Sequence, residues 1–227
     1  GATLNLNNNA QSVQNLSGAG TINLGSALLT VNNGGNTTFN GTISGSGGLN
    51  KTGNGSLTLS GVNNYSGGTT ISTGKIIITN GGVLGSAAVN TGGGMLEVDF
   101  TTNDTLANQL TGGGALTKNG AGNAVLTGAN SVTGMVNVNA GTLTLGQTGA
   151  FSITGDYTTA SGAVTALNAN ADLNVGGRFT QNVGSALNVA LDASPGPIIT
   201  AGSAEIGGTL NITGFNITRA GGLPSYI

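Results

Sequence analysis

The sequence contains no cysteine and no histidine. Ser-His-Asp and Cys-His catalysis are therefore excluded. So are a disulfide-stapled domain and a thiolate metal site, and zinc loses its usual ligands. Aromatic residues make up only 4% of the 227 positions, so a core must be assembled from small aliphatic side chains rather than large rings. Charged residues make up 5%. The five basic ones, Lys51, Lys75, Lys118, Arg178 and Arg219, are widely scattered. They cannot neutralise a row of phosphates, which argues against a nucleic-acid partner and against attachment to anionic lipid. No run approaches about 18 apolar residues, so insertion of a membrane helix is not expected. There is no secretory leader pattern, and the chain opens at Gly1 already in strand-like alternation. The expectation is a segment of a longer polypeptide.

What the sequence has is glycine, 44 residues of it, without the three-residue period of collagen. Low charge and abundant Val, Ile and Thr argue against disorder. Apolar-x-apolar triplets recur: Leu4/Leu6, Ile22/Leu24, Leu57/Leu59, Ile76/Ile78, Leu96/Val98, Leu143/Leu145, Leu173/Val175, Leu187/Val189 and Leu210/Ile212. Several lie about 20 residues apart, a solenoid period. Alternation predicts strands with one buried face. Clusters such as Asn33-Gly34-Gly35, Asn80-Gly81-Gly82 and Gly112-Gly113-Gly114 predict tight turns, because Gly and Asn tolerate positive φ. No apolar stripe has helical spacing. Short strands coiled at this period predict an all-β fold, a parallel β-helix of about ten coils with little or no helix. A single coil cannot offset its ordering entropy alone, so the Asn, Thr and Ser stacks are expected to be structural first.

A longer unit overlies the coil. Residues 45–76 and 112–143 align without a gap at an offset of 67. Leu49, Lys51, Gly53, Gly55 and Leu59 match Leu116, Lys118, Gly120, Gly122 and Leu126. Gly61, Asn63, Gly67 and Gly74 match Gly128, Asn130, Gly134 and Gly141. The offset suggests copies about three coils apart. From Phe151 to Val189 the turn signals thin, Pro195-Gly196-Pro197 marks a loop, and 216–227 reads as a tail or incomplete coil. Residues 1–215 are expected to form one β-helical domain.

Candidate chemistry is sparse. Glu97 and Asp99, two apart, would share an outward face if Leu96 and Val98 point inward. They could supply half a calcium site, a catalytic carboxylate pair, or a plain solvated strand face. The glycine runs are not followed by Gly-Lys-Ser or Gly-Lys-Thr and read as corners rather than phosphate loops. Lys51 and Lys118, in one repeat slot, point to corner geometry rather than a ligand. Tyr65 is expected to fill a coil end where the other copy has Val132. No catalytic, metal or cofactor-binding residue is assigned, and no cofactor is expected.

The block Gly47-Gly-Leu-Asn-Lys-Thr-Gly-Asn-Gly-Ser-Leu-Thr-Leu-Ser-Gly, with Asn63-Asn-Tyr-Ser-Gly-Gly-Thr-Thr-Ile and Gly74-Lys-Ile, resembles the autotransporter-associated β-strand repeat. The second copy departs from it at Asn130-Ser-Val-Thr-Gly-Met, where the aromatic and the second glycine are lost. Gln14–Leu24, Gly176–Gln181 and Gly184–Val189 are similar to spacer coils of such passengers. The resemblance implies a right-handed β-helical passenger of a Gram-negative type V secreted protein, preceded by a leader and followed by its own outer-membrane β-barrel. It also implies a surface-exposed stalk that supports export and folding across the outer membrane. Adhesion to host-cell, matrix or bacterial-surface ligands, or self-association, is the accompanying expectation. A β-helical carbohydrate-active lyase or hydrolase and an ice-binding solenoid are the alternatives, the latter invited by Thr37-Thr38, Thr69-Thr70 and Thr101-Thr102.

Overall fold

Ser12, Thr30, Asn50, Thr70, Asn90, Thr111, Ser131, Ser152, Asn174 and Thr200 lie one above another in a single parallel ladder. Each marks one turn of the chain, so the protein is a β-solenoid of about ten coils. This computed structural model describes residues 1–191 and 199–214. No helix occurs among them. The expected Pro195–Pro197 loop and the 216–227 tail fall outside the described residues.

Each coil has three faces. The first carries the ladder above. The second stacks Thr38, Thr58, Ile77, Glu97, Thr117, Asn137, Thr158, Thr180 and Glu205 in register. The third runs through Thr3–Asn5, Thr21–Asn23 and Thr42–Ser44. It resumes from Asp104–Leu106 to Thr209–Thr213. Between these two stretches the third face has only an isolated bridge, Val62 to Val83.

Residues alternate in and out because a strand's side chains do. Inward on the second face, Leu57, Ile76, Leu96, Leu116, Val136, Tyr157 and Phe179 stack in register, all buried. Aliphatic layers give way to rings toward the C-terminal end, where Tyr157 and Phe179 stack with centroids 5.5 Å apart. The stretch from Phe151 to Val189, less regular in sequence, keeps the coil. There the strand Ala171–Gln181 runs from the first face onto the second, with its register broken only between Val175 and Arg178. Coil length grows here, from 20 residues between Asn50 and Thr70 to 22 between Ser152 and Asn174.

The corner between the first and second faces is walled by glycine. A methyl group at Gly55 would overlap the carbonyl oxygen of Gly35. At Gly114 it would overlap that of Gly94, and at Gly134 that of Gly114. Successive backbones meet so closely that no Cβ fits between them. Gly34, by contrast, has open space around it. At the next corner, between the second and third faces, a methyl group at Gly122 would overlap the carbonyl oxygen of Thr102. Gly55→Ala and Gly122→Ala should each cost about 1–3 kcal/mol through forced displacement of the adjacent coil, while Gly34→Ala should stay within about 0.5 kcal/mol. Urea-denaturation midpoints of the three variants check this.

Candidate functional site

The repeated block was the sequence's most specific feature. The structure shows what its shared residues do. Lys51 and Lys118 are fully buried. Their stems occupy core positions: Lys51 stacks between Val31 and Ile71, and Lys118 between Val98 and Val138. Their ammonium groups turn back to the corner that follows. Lys51 Nζ donates to the carbonyl oxygens of Thr52 at 2.7 Å and Gly53 at 2.9 Å. Lys118 Nζ donates to those of Asn119, Gly120 (2.8 Å) and Ala140 (3.2 Å).

The corner exposes inward carbonyls because Gly53 and Gly120 have φ of 76° and 74°, a region closed to most side chains. An ammonium answers several acceptors at once. Burial lowers the pKa of both amines; at Lys118 the charge of Asp99 partly opposes this. Corner geometry explains the shared lysine, as its slot suggested, though its burial was not legible from the sequence.

A second shared residue also stands in for backbone. Asn63 Oδ1 accepts the N–H of Ile43 at 2.9 Å, and Asn130 Oδ1 accepts that of Leu110 at 2.8 Å. Each side-chain amide thus completes a rung that the main chain leaves open. Asn63 Nδ2 continues upward to the carbonyl of Val83, at 2.8 Å, while Asn130 Nδ2 donates to Gln147 Oε1, also at 2.8 Å. Tyr65 is buried beside them, its hydroxyl bonded to Thr69 Oγ1 at 2.5 Å. Val132 is likewise buried in the other copy.

The copies are not stacked three coils apart, as the offset suggested. Three turns above Leu49 lies Leu110, by way of Thr69 and Val89. Leu116, the counterpart of Leu49, lies one strand further on, on the second face. Throughout the block, first-face strands in one copy correspond to second-face strands in the other, and second-face strands to third-face strands. Ser56–Leu59 thus corresponds to Asn123–Leu126. Three coils take 61 residues, from Leu49 to Leu110, and the remaining six carry the chain to Leu116 on the next face, so 67 residues make three coils and one face.

Glu97 and Asp99 point outward from Met95–Asp99, and Leu96 and Val98 point inward, as the alternation predicted. Glu97 is not a free carboxylate. Its Oε2 pairs with Lys75 Nζ at 2.7 Å across adjacent coils. No group of three or more His, Cys, Asp or Glu side chains that could hold a metal occurs among the described residues. A shallow groove of 410 Å³ runs along the glycine corner, edged by Met95 and Met135. Its lining, glycine, alanine and methionine, carries no titratable group. The Thr-Thr pairs do not form one array: Thr70 is outward on the first face, Thr38 on the second, and Thr101-Thr102 follow the end of a strand.

With this geometry in view, the model of the passenger-associated-transport-repeat matches residues 49–78 and 116–145. The chain carries this transport repeat twice. Both matches keep the 67-residue offset and begin at the leucine two residues before the buried lysine. No curated protein and no solved structure matches the chain. The shared residues of the transport repeat described above serve the interior and the corners, so they build coils rather than a ligand pocket.

Lys118→Ala should cost about 2–4 kcal/mol, from the lost stem and stranded carbonyls. Lys118→Met, which keeps the stem, should cost less than half as much. The lowered amine pKa means the unfolded chain binds more protons as pH nears the amine's ordinary value of 10.5, so the wild type should gain stability relative to Lys118→Met as pH rises toward it. Tyr157 behaves oppositely. Burial raises its pKa, so its contribution is lost as pH climbs above the ordinary value of 10.0. Tyr157→Phe should flatten that alkaline loss. Thermal melts of the three proteins from neutral pH to about pH 11 check both signs.

Proposed function

We propose that the chain is the stalk of an autotransporter passenger, displayed at the bacterial surface. Its transport repeats support folding and passage across the outer membrane, and its outward faces make contacts with other surfaces. The observation that carries this reading is the use of the repeat: its lysine, asparagine and corner glycines all complete coils. A coil that closes without waiting for a distant partner can form as the chain emerges, and each new rung has a ready template beneath it.

A hydrolase or lyase reading finds less support. Glu97 is engaged by Lys75 on a stacked face, and the corner groove offers no acid or base.

The export half is testable in the full-length protein on intact cells. Lys51→Ala with Lys118→Ala should reduce the protease-accessible passenger several-fold while leaving the amount of membrane-anchored portion unchanged. Full display of a passenger that melts at a lower temperature would restrict the repeats to stability and overturn their role in export.

A further inference from the structure

Asn33, Asn40, Asn54, Asn80 and Asn119 are each followed directly by glycine. In such a pair the glycine nitrogen can approach the asparagine side-chain carbonyl with no Cβ of its own in the way. At Asn80 the fold supplies more. Asn80 and Gly81 are the central residues of a turn at the corner between the second and third faces, closed by the Gly82 N–H on the Thr79 carbonyl at 2.8 Å. Gly81 has φ of 70°, and no atom lies within 4 Å of the place a Cβ would take.

The next coil surrounds this pair with polar groups. The Gly81 N–H donates to Asp104 Oδ2 at 3.1 Å. The other Asp104 oxygen accepts the Thr105 N–H at 2.8 Å, which fixes the carboxylate. Asn80 Oδ1 accepts two main-chain N–H groups, those of Thr101 at 2.7 Å and Thr102 at 3.3 Å. Its Nδ2 donates to Thr101 Oγ1. These partners set the amide's orientation, since a main-chain N–H can only donate.

We propose that Asn80 is a self-modification site, at which the Gly81 nitrogen closes a succinimide ring onto the asparagine side chain. Asp104 Oδ2 takes the Gly81 N–H proton as the nitrogen bonds to Asn80 Cγ. Negative charge moves to Oδ1, where the Thr101 and Thr102 N–H groups already point. The Cγ–Nδ2 bond then breaks, and the proton held by Asp104 leaves with that nitrogen as ammonia. Both reacting groups sit on adjacent residues, so no entropy of association is lost. Water opens the ring at either carbonyl and leaves aspartate or isoaspartate.

The other four pairs lack this set. The Gly34 N–H meets the Asn15 side-chain carbonyl at 3.2 Å, and the Gly55 N–H meets the Asn33 main-chain carbonyl at 2.9 Å. Neither acceptor is a base. Asp99 comes close to Gly120 but does not accept its N–H. Isoaspartate carries its side-chain methylene in the main chain, so conversion lengthens the corner and sets a new carboxylate beside Asp104. It does so where the third face has only the Val62 to Val83 bridge, so no continuous ladder is cut.

Peptide mass spectrometry tests this on the folded full chain, incubated near neutral pH in heavy-oxygen water. Asn80 should convert at least about tenfold faster than the other four asparagines, taking up heavy oxygen and yielding isoaspartate among the products. Asp104→Asn keeps an acceptor for the Gly81 N–H but removes the base, and it should slow Asn80 at least about tenfold. Should that variant fail to melt cooperatively, wild type unfolded in urea replaces it, where the five sites should convert alike. Conversion of Asn80 no faster than its four counterparts, a rate indifferent to Asp104→Asn, or aspartate without isoaspartate would each overturn the proposal. So would faster conversion of Asn80 in urea than in the folded chain, which would make its hydrogen bonds protective. None of these outcomes bears on the stalk reading.

Discussion

Successive coils stand one hydrogen-bond spacing apart, and every residue has to fit that interval. On the flat faces the requirement is easily met, because strands present alternate side chains and pair in register. At the corners it is severe. The backbone must change direction while still meeting the turn below, and glycine is the residue that allows the approach. The glycine column from Gly35 through Gly55, Gly94, Gly114 and Gly134 is the seam along which the first two faces join. The high glycine content and the scarcity of bulky groups follow from this geometry.

The corners also create a polar problem inside an apolar core. Positive-φ glycines turn carbonyls inward, and buried carbonyls without partners are costly. Lys51 and Lys118 solve it with a side chain that is aliphatic for most of its length and a multiple donor at its tip. Asn63 and Asn130 solve the matching problem on the faces, where a rung lacks a main-chain carbonyl. Elsewhere Thr159, Thr165 and Tyr157 bond one another within the core. In each case a polar side chain substitutes for backbone or for another polar group, so polarity in this interior is structural.

Much of this was legible in the sequence. Leu96/Val98 and Leu143/Leu145 marked strands because period-two alternation survives any detail of coil shape. Glu97 and Asp99 were placed outward by the same rule. What alternation could not give was the direction of Lys51, since a charged residue at an inward position breaks the pattern and reads as an exception. Nor could it show that Lys75 on the coil below holds Glu97, because that pair depends on the inter-coil register. The relation between the copies is hidden for a simpler reason. Three coils take 61 residues, so an offset of 67 overshoots them by one face, and a period known only as about 20 does not resolve that third of a turn.

The 67-residue offset is, in crystallographic language, a screw operation: a rise of about 16 Å combined with a third of a revolution. A unit copied along the gene need not contain a whole number of turns, because the first-to-second and second-to-third corners accept the same lysine and glycine. Duplication therefore lengthens the rod and at the same time redirects the motif's outward residues to a new azimuth. A solenoid grown this way diversifies its circumference while its interior stays the same.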